Sequence, residues 1–438
     1  MNTISMIRHE IFSEVWVWQP SGRPMKVLNT YDCPTVALSC QRELGDRMNN
    51  RWISLLAGVL IQVILGGLYA WSTLISQLGT SYGLTNSQGG FIFGLCITIF
   101  TLTMIFAGRV LVIFGPQVTA GIGAILFAAG YLLASFSNGS YGLLLLGLGI
   151  ITGAGIGFGY VCPLTVGMKW FPNNKGLVTG ISVAGFGSGA IILSATVDHF
   201  LGRGMDVLVF MRWWGIVTGS ILLIAAYFLK APDIRDGSRS STVGIGKVTS
   251  IQFSICAIGI FAGTFTGLLV NGNLIPRVVE FGVEISQSSK AIALFAVGNA
   301  VGRIAWGHYF DRLGYKSIPI SLIGLSIACT VLLFALPEWM LLLVIFCIGF
   351  FFGANFVVYA STIARYFGQT LFSILYPICF VAYGIAGFIA PGIGGYFADL
   401  TGSFRTSLVG AIAIVALAGI LATMKLAVFN KCASDEKR

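Results

Sequence analysis

Stretches of about 20 predominantly apolar residues recur along this 438-residue chain, and a run of that length is what an α-helix needs to cross a hydrocarbon core. Inside a bilayer every backbone N–H and C=O must be paired within the protein, so repeated runs of this kind restrict the chain to a bundle of membrane helices. Composition agrees, because 56% of the residues are hydrophobic and only 10% are charged, whereas soluble domains carry roughly a quarter charged residues. The pattern predicts twelve spans, near residues 52–76, 89–109, 117–136, 141–167, 175–197, 213–230, 251–274, 290–310, 317–336, 339–363, 370–394 and 404–429, with ends good to ~4 residues. The expected fold class is an all-α polytopic membrane protein.

Lys and Arg in the short connections set the expected orientation. With the N-terminus in the cytoplasm, the inner loops hold Arg109, Lys169, Lys175, Lys230, Arg235, Arg239, Lys247, Arg312, Lys316 and Arg365. The outer loops hold Arg203, Arg212, Arg277, Lys290 and Arg405. Both termini are therefore expected in the cytoplasm, in a plasma (cytoplasmic) membrane. This distribution accounts for the formal net charge of +10 without a nucleic-acid partner.

The polar segment 231–250 (APDIRDGSRSSTVGIGKVTS) falls between six spans and six spans. It divides the chain into an N-terminal half at 50–230, a cytoplasmic linker, a C-terminal half at 251–429 and a cytoplasmic tail at 430–438. A repeat supports the division: Gly307-His308-Tyr309-Phe310-Asp311-Arg312-Leu313-Gly314 after the eighth span has a counterpart in Gly108-Arg109-Val110-Leu111-Val112-Ile113-Phe114-Gly115 after the second. The glycines keep their spacing, while Val112 and Ile113 stand where the later copy has Asp311 and Arg312. Residues 1–49 lie outside both halves and contain no apolar run suited to a signal peptide. They are expected to be a disordered extension or an overextended start, since Met48-Asn49-Asn50-Arg51-Trp52 would itself open a chain.

Arg303 is the charge that needs explaining. It sits in the eighth span with no Asp or Glu in that helix before Asp311, and an intramembrane Arg costs several kcal/mol unless it faces a cavity or a partner. Asn299, four residues earlier, shares its helix face, and Gly298 and Gly302 make an adjoining strip for close packing. One reading makes a mobile anion the missing partner. The other lets Arg303, roughly 9 Å from the helix end at 1.5 Å per residue, reach the interface through its long stem.

Other features carry less chemistry. The nine cysteines form no C-x-x-C pair, and Cys96, Cys162, Cys256, Cys329, Cys347 and Cys379 lie in apolar spans as small core residues. No metal site and no cofactor is expected. Gly147, Gly149, Gly153, Gly155, Gly157 and Gly159 lie within an apolar span and suit helix packing rather than a phosphate loop. The spans lack HExxH, paired carboxylates and G-x-S-x-G, so an enzyme is not expected. No span has a central Asp or Glu to relay a proton.

The Gly307–Gly314 segment resembles the G-x-x-x-D-[RK]-x-G-[RK] signature of the major facilitator superfamily. A closer resemblance is to its oxalate:formate antiporter branch and that branch's monocarboxylate-transporting relatives. It rests on Asn50-Arg51-Trp52, Tyr69-Ala70-Trp71, Lys169-Trp170-Phe171-Pro172-Asn173-Asn174-Lys175-Gly176-Leu177 and Gly302-Arg303-Ile304-Ala305-Trp306-Gly307, and it covers residue 50 to about 430. The resemblance implies the major facilitator fold of two six-helix halves, with a substrate site between them near the bilayer centre.

It also implies that Arg303 binds the substrate carboxylate and that Gly307, Asp311, Arg312 and Gly314 form a gate. Asn299 departs from the Asp that eukaryotic monocarboxylate carriers have at this place, and could orient the guanidinium or bind an oxygen beside the carboxylate. Tyr383 stands where the oxalate carrier has a second cation, so a single cation favours a monoanion. Tyr69 and Tyr160 match substrate-facing tyrosines, while Phe352 and Phe356 replace more polar aromatics and suggest a wall for a short alkyl chain. The expected function is alternating-access transport of lactate- or pyruvate-like monocarboxylates with a proton. Alternatives are an oxalate/formate-type anion exchanger and, from another class, a transport-derived sensor. The partners expected are the anion, a proton and the bilayer, with no obligate protein partner.

Overall fold

The computed structural model describes residues 16–18, 24–26, 34–232, 250–272, 274, 285–334, 336–401 and 403–425. Two short strands, β1 (Trp16–Trp18) and β2 (Pro24–Lys26), pair antiparallel. The rest of residues 1–33, most of the linker 231–250 and the tail 430–438 lie outside the described residues.

Among the described residues, ten helical stretches are long and apolar enough to cross a membrane, and two of them contain a break. The stretch Asn86–Ser135 breaks at Gly115 (φ 81°, ψ 173°), followed by Pro116. A second breaks at the 3-10 turn Gly314–Lys316, where Gly314 has φ 58°. Both φ values lie where glycine alone pays no Cβ penalty, so the two glycines that end the repeated segments do the same conformational job. The described residues thus trace the twelve expected crossings.

The first, α1, runs through Pro34–Leu65, a 3-10 segment Gly66–Ala70 and Trp71–Tyr82. Next come α2 (86–114), α3 (116–135), α4 (Tyr141–Trp170), α5 (Lys175–Leu201) and α6 (Val207–Phe228). After the linker come α7 (Ile251–Gly272), α8 (Ile285–Leu313), α9 (Ser317–Val331), α10 (Glu338–Tyr366), α11 (Gln369–Thr401) and α12 (Arg405–Met424). The helix of α1 starts at Pro34, well before the apolar run predicted near 52. Proline suits a first helical turn because its missing N–H would be unpaired there anyway.

Several ends are fixed by named side chains. Thr85 and Gln88 form a capping box at the start of α2, with Gln88 N donating to Thr85 Oγ1 at 3.2 Å and Thr85 N to Gln88 Oε1 at 3.0 Å. Asp206 caps α6 by accepting from Leu208 N at 2.8 Å, and it also accepts from the Tyr82 hydroxyl at 2.8 Å, which ties the end of α1 to α6. That hydrogen bond to a carboxylate raises the Tyr82 pKa. Within α4 the residues Leu145–Thr152 form a π-helical turn, and Thr152 Oγ1 donates to Gly147 O at 3.0 Å.

Close backbone approach explains the glycine pattern. Gly130 and Gly147 lie against each other's backbone between α3 and α4, as do Gly123 and Gly155. Between α8 and α10, Gly298 and Gly302 sit against the Phe346 and Phe350 carbonyls, and Gly349 and Gly353 against those of Phe295 and Asn299. A Cβ at these positions would collide with main chain, so the seams depend on glycine for their dispersion contacts.

Candidate functional site

Arg303 comes to rest fully buried at the seam between α8 and α5, one from each half, at 0% exposure. Its Nε donates to Asn299 Oδ1 at 3.0 Å, and its Nη1 donates to the Val183 carbonyl at 2.7 Å. Phe356 of α10 lies beneath the guanidinium, 4.2 Å from Cζ to the ring centroid. Nη2 has no hydrogen-bond partner among the described residues. Burial rules out the reading in which Arg303 reaches the interface, because its polar atoms end inside the bundle.

The backbone makes room for this side chain. Gly180 of α5 packs on the Arg303 carbonyl, and a Cβ on Gly187 would lie 3.6 Å from Cζ, so glycine keeps that edge of the guanidinium uncovered. Asn299 holds Nε from one turn below on the same helix face, the orienting role open to it from its spacing. Neither hydrogen-bond acceptor carries a formal negative charge. The described acceptors therefore supply no formal counter-charge, and three of the five guanidinium N–H groups are not used by these two hydrogen bonds.

The other predicted residues are brought around this centre unequally. Tyr383 of α11 packs edge-on to Phe356, with centroids 5.4 Å apart, and its hydroxyl lies 2.8 Å from that of Tyr69 on α1. Tyr160 of α4 is buried beneath Phe100, Phe186 and Phe380 at centroid distances of 5.1, 5.2 and 5.4 Å. Phe352 is one layer back, touching Phe356 at 5.2 Å and Phe295 at 5.6 Å. It supports the Phe356 ring rather than facing the guanidinium.

Four residues that sequence reasoning passed over belong here. Phe186, Tyr376 and Phe380 complete the aromatic shell, and Val183 supplies its carbonyl. A signal was present for two of them, since Tyr376, Phe380 and Tyr383 recur at helical spacing on one face of α11. No sequence signal marks Val183, because the group used is main chain.

The repeated segment makes a second inter-half contact. Asp311, at the end of α8, accepts from the backbone N–H groups of Gly176 and Leu177 at 2.9 Å each, at the N-terminus of α5. A carboxylate at a helix N-terminus meets both unpaired N–H groups and the positive end of the helix dipole. Gly307, one helical layer inward, packs on Gly176. Gly108 makes the corresponding approach to the Ser373 carbonyl of α11, but Val112, in the place of Asp311, is exposed. Arg312 is exposed, and Gly314 supplies the turn. The halves are also joined on this face by Gln369 Nε2 donating to Met168 O at 2.7 Å.

Two of the family-like segments meet as well. The Arg51 guanidinium lies over the rings of Trp52 and Phe171, at 5.2 and 5.1 Å, and Trp170 Nε1 donates to Lys230 O at 2.7 Å. They join residues 51–52 of α1 to the C-terminal ends of α4 and α6. Elsewhere, a lateral groove of about 360 Å³ between α2 and α11 is lined by apolar side chains such as Phe91, Leu102, Ile385 and Phe388. It offers no charge to an anion.

A twelve-helix bundle of two halves meeting over a buried cation defines a membrane carrier architecture. The chain belongs to the Major Facilitator Superfamily, whose pattern it matches over residues 55–369 and 253–431. It is 24% identical to the MFS-type transporter YhjX of Escherichia coli (strain K12), over 76% of this chain and 85% of that protein. It is 26% identical to apicoplast pyruvate carrier 1 of Toxoplasma gondii, over 79% of this chain and 84% of the relative. With the oxalate:formate antiporter of Oxalobacter formigenes it shares 23% identity, over 73% and 78% respectively. Among solved structures, the transporter FucP in its outward conformation superimposes with a TM-score of 0.69 at 17% identity, covering 85% of this chain and 97% of FucP. That likeness confirms the fold.

Proposed function

We propose that this protein is a secondary active carrier of small monocarboxylates, coupled to protons, in which Arg303 holds the substrate carboxylate. The observation that carries this reading is a fully buried guanidinium whose Nη2 is unpartnered and whose described acceptors, Asn299 and Val183, are neutral. A carboxylate supplies both the missing charge and paired acceptors in the plane of the fork. Phe356 and Phe380 would enclose a short alkyl end, and Tyr69 and Tyr383 would cap the site. The pyruvate carrier and the oxalate:formate antiporter among the relatives support an organic-anion substrate.

Proton coupling follows from the charge of the load. One monocarboxylate and one proton together are neutral, and the spans offer no central Asp or Glu to hold the proton alone. The proton then travels on or beside the substrate carboxyl. Uptake into proteoliposomes is expected to rise severalfold when the outside is acidified, with little response to a valinomycin-set potential. Uptake that needs internal substrate and moves no protons would establish anion exchange instead. The decisive experiment presents radiolabelled formate, acetate, lactate, pyruvate and oxalate with and without a pH gradient. Ligand binding without any uptake would favour a sensor.

We place the face bearing Asp311, Gln369 and the two glycine turns on the cytoplasmic side of a plasma membrane, with both termini there, an orientation that the Lys and Arg distribution favours. Asp311 then serves as the inner latch. Asp311→Asn keeps one acceptor but loses the charge, weakening the latch by about 1.5 kcal/mol, roughly a tenfold shift toward inner opening. Alkylation of a cysteine introduced at the inner end of α5 should speed up accordingly. An unchanged alkylation rate would exclude Asp311 as a latch.

A further inference from the structure

Two segments of the sequence, Asn50-Arg51-Trp52 and Lys169-Trp170-Phe171-Pro172, meet at one corner of the N-terminal half and take no part in holding a substrate. The Arg51 guanidinium lies 5.1 Å from the Phe171 ring and 5.2 Å from the Trp52 ring, and those rings meet edge to face at 5.3 Å. Lys230 joins them from just past the end of α6. Its carbonyl accepts from Trp170 Nε1 at 2.7 Å and from Ser54 Oγ at 3.0 Å, and Ser54 stands three residues after Arg51 on the same face of α1. Two cations from different helices are thereby fixed in one corner.

Packing holds these side chains but leaves their charge unanswered. Stacking covers the face of a guanidinium and keeps its N–H groups at the edge, and Arg51 Nε has no hydrogen-bond partner among the described residues. Lys230 is exposed, with Nζ 6.0 Å from the Tyr227 ring. Between Asp46 and Asp198 the chain has no Asp or Glu at all. Asp198 and Asp206 belong to the opposite ends of α5 and α6, and Asp311 is engaged on the α5 N–H groups; Asp233 and Asp236 lie outside the described residues.

The surroundings say which kind of anion fits. Arg51, Trp170 and Lys230 stand at or just past the ends of the hydrophobic spans Asn50–Ala70, Tyr141–Trp170 and Val207–Phe228, which is the depth of lipid headgroups. Along the same spans α1 exposes Ile53, Leu56 and Leu60, and α6 exposes Ile224 and Phe228, apolar side chains that match acyl chains. Trp52, at 50% exposure, is an aromatic ring of the kind that anchors at the membrane interface. We propose that this corner binds the phosphate of an anionic phospholipid, with the edge of the Arg51 guanidinium and the Lys230 ammonium on the phosphate oxygens and the acyl chains lying along α1 and α6. A zwitterionic lipid carries its own cation beside the phosphate, so it satisfies less of the charge held here.

The test is native mass spectrometry of the full-length protein released from micelles that hold equal amounts of phosphatidylglycerol and phosphatidylcholine. Each cation near a membrane surface contributes about fivefold to anionic-lipid binding, so the wild type is expected to retain phosphatidylglycerol roughly 25-fold in preference. Arg51→Gln and Lys230→Gln should each narrow that preference about fivefold, whereas Arg365→Gln, which removes an exposed cation at the end of α10, should leave it unchanged. Lys230 is itself exposed, so its variant tests the site even where loss of the Arg51 stacking unsettles α1. Equal retention of the two lipids by the wild type overturns the site, as does a preference that survives both variants or falls equally in Arg365→Gln. Displacement of phosphatidylglycerol by inorganic phosphate at the same concentration would identify a soluble-anion site and overturn the lipid as its occupant. None of these readings involves transport, so the corner stands or falls independently of Arg303.

Discussion

Arg303→Lys is expected to lower monocarboxylate uptake by roughly 10–100-fold while the protein still reaches the membrane and melts near the wild-type temperature. The guanidinium has two tasks at once. Its Nε and Nη1 are held by Asn299 and by the Val183 carbonyl, and Nη2 remains for the ligand. A lysine ammonium concentrates its donors at one point, so it must give up either the scaffold contacts or the ligand. Each lost hydrogen bond to a charged group costs about 1.5–3 kcal/mol, which sets the stated range. Arg303→Ala should be at least as inactive, since it removes the only charge described above Phe356. Initial rates normalised to protein in the vesicles provide the measurement; wild-type uptake by the Lys variant across substrate concentrations would falsify the clamp.

Charge counting gives the second large effect. A dianion beside one cation leaves an uncompensated charge in a desolvated site, a penalty of several kcal/mol, so the wild type should carry oxalate at least 100-fold less efficiently than pyruvate. Tyr383 is well placed to change this, because its ring packs on the Phe356 that lies beneath the guanidinium. Tyr383→Lys should gain measurable oxalate binding and lose monocarboxylate selectivity, with the added ammonium balancing the second carboxylate. The same change removes the hydrogen bond between the Tyr383 and Tyr69 hydroxyls, so some loosening of the contact between α1 and α11 is expected. Competition between oxalate and labelled pyruvate reads both outcomes, and strong oxalate transport by the wild type would refute the single-cation argument.

The fold was legible because membrane helices announce themselves by length and hydropathy, and the two turns at Gly115 and Gly314 by the spacing of their glycines. The start of α1 was not, because residues 34–49 lack the apolar signal that marked the rest. Within the site, Arg303 and Asn299 stood out as polar groups four apart in an apolar span. The stripe on α11 was read only at Tyr383, since aromatic residues in membrane helices serve packing as readily as binding. The partner of Asp311 could not be read at all: it is a pair of main-chain N–H groups 134 and 135 positions away, and backbone donors leave no trace in side-chain identity.

The bond from Arg303 to Val183 has a kinetic meaning. It crosses from one half to the other at 2.7 Å and uses nothing but the protein. The two halves can therefore meet over the cation without cargo, with a main-chain carbonyl standing in for part of what a substrate would provide. A carrier built this way has a cheap return stroke. Net uptake should run nearly as fast as exchange, and preloading the vesicles should accelerate entry only slightly. Because the acceptor is a carbonyl, no change of side chain at position 183 deletes it, so this property is written into the helix rather than into a residue.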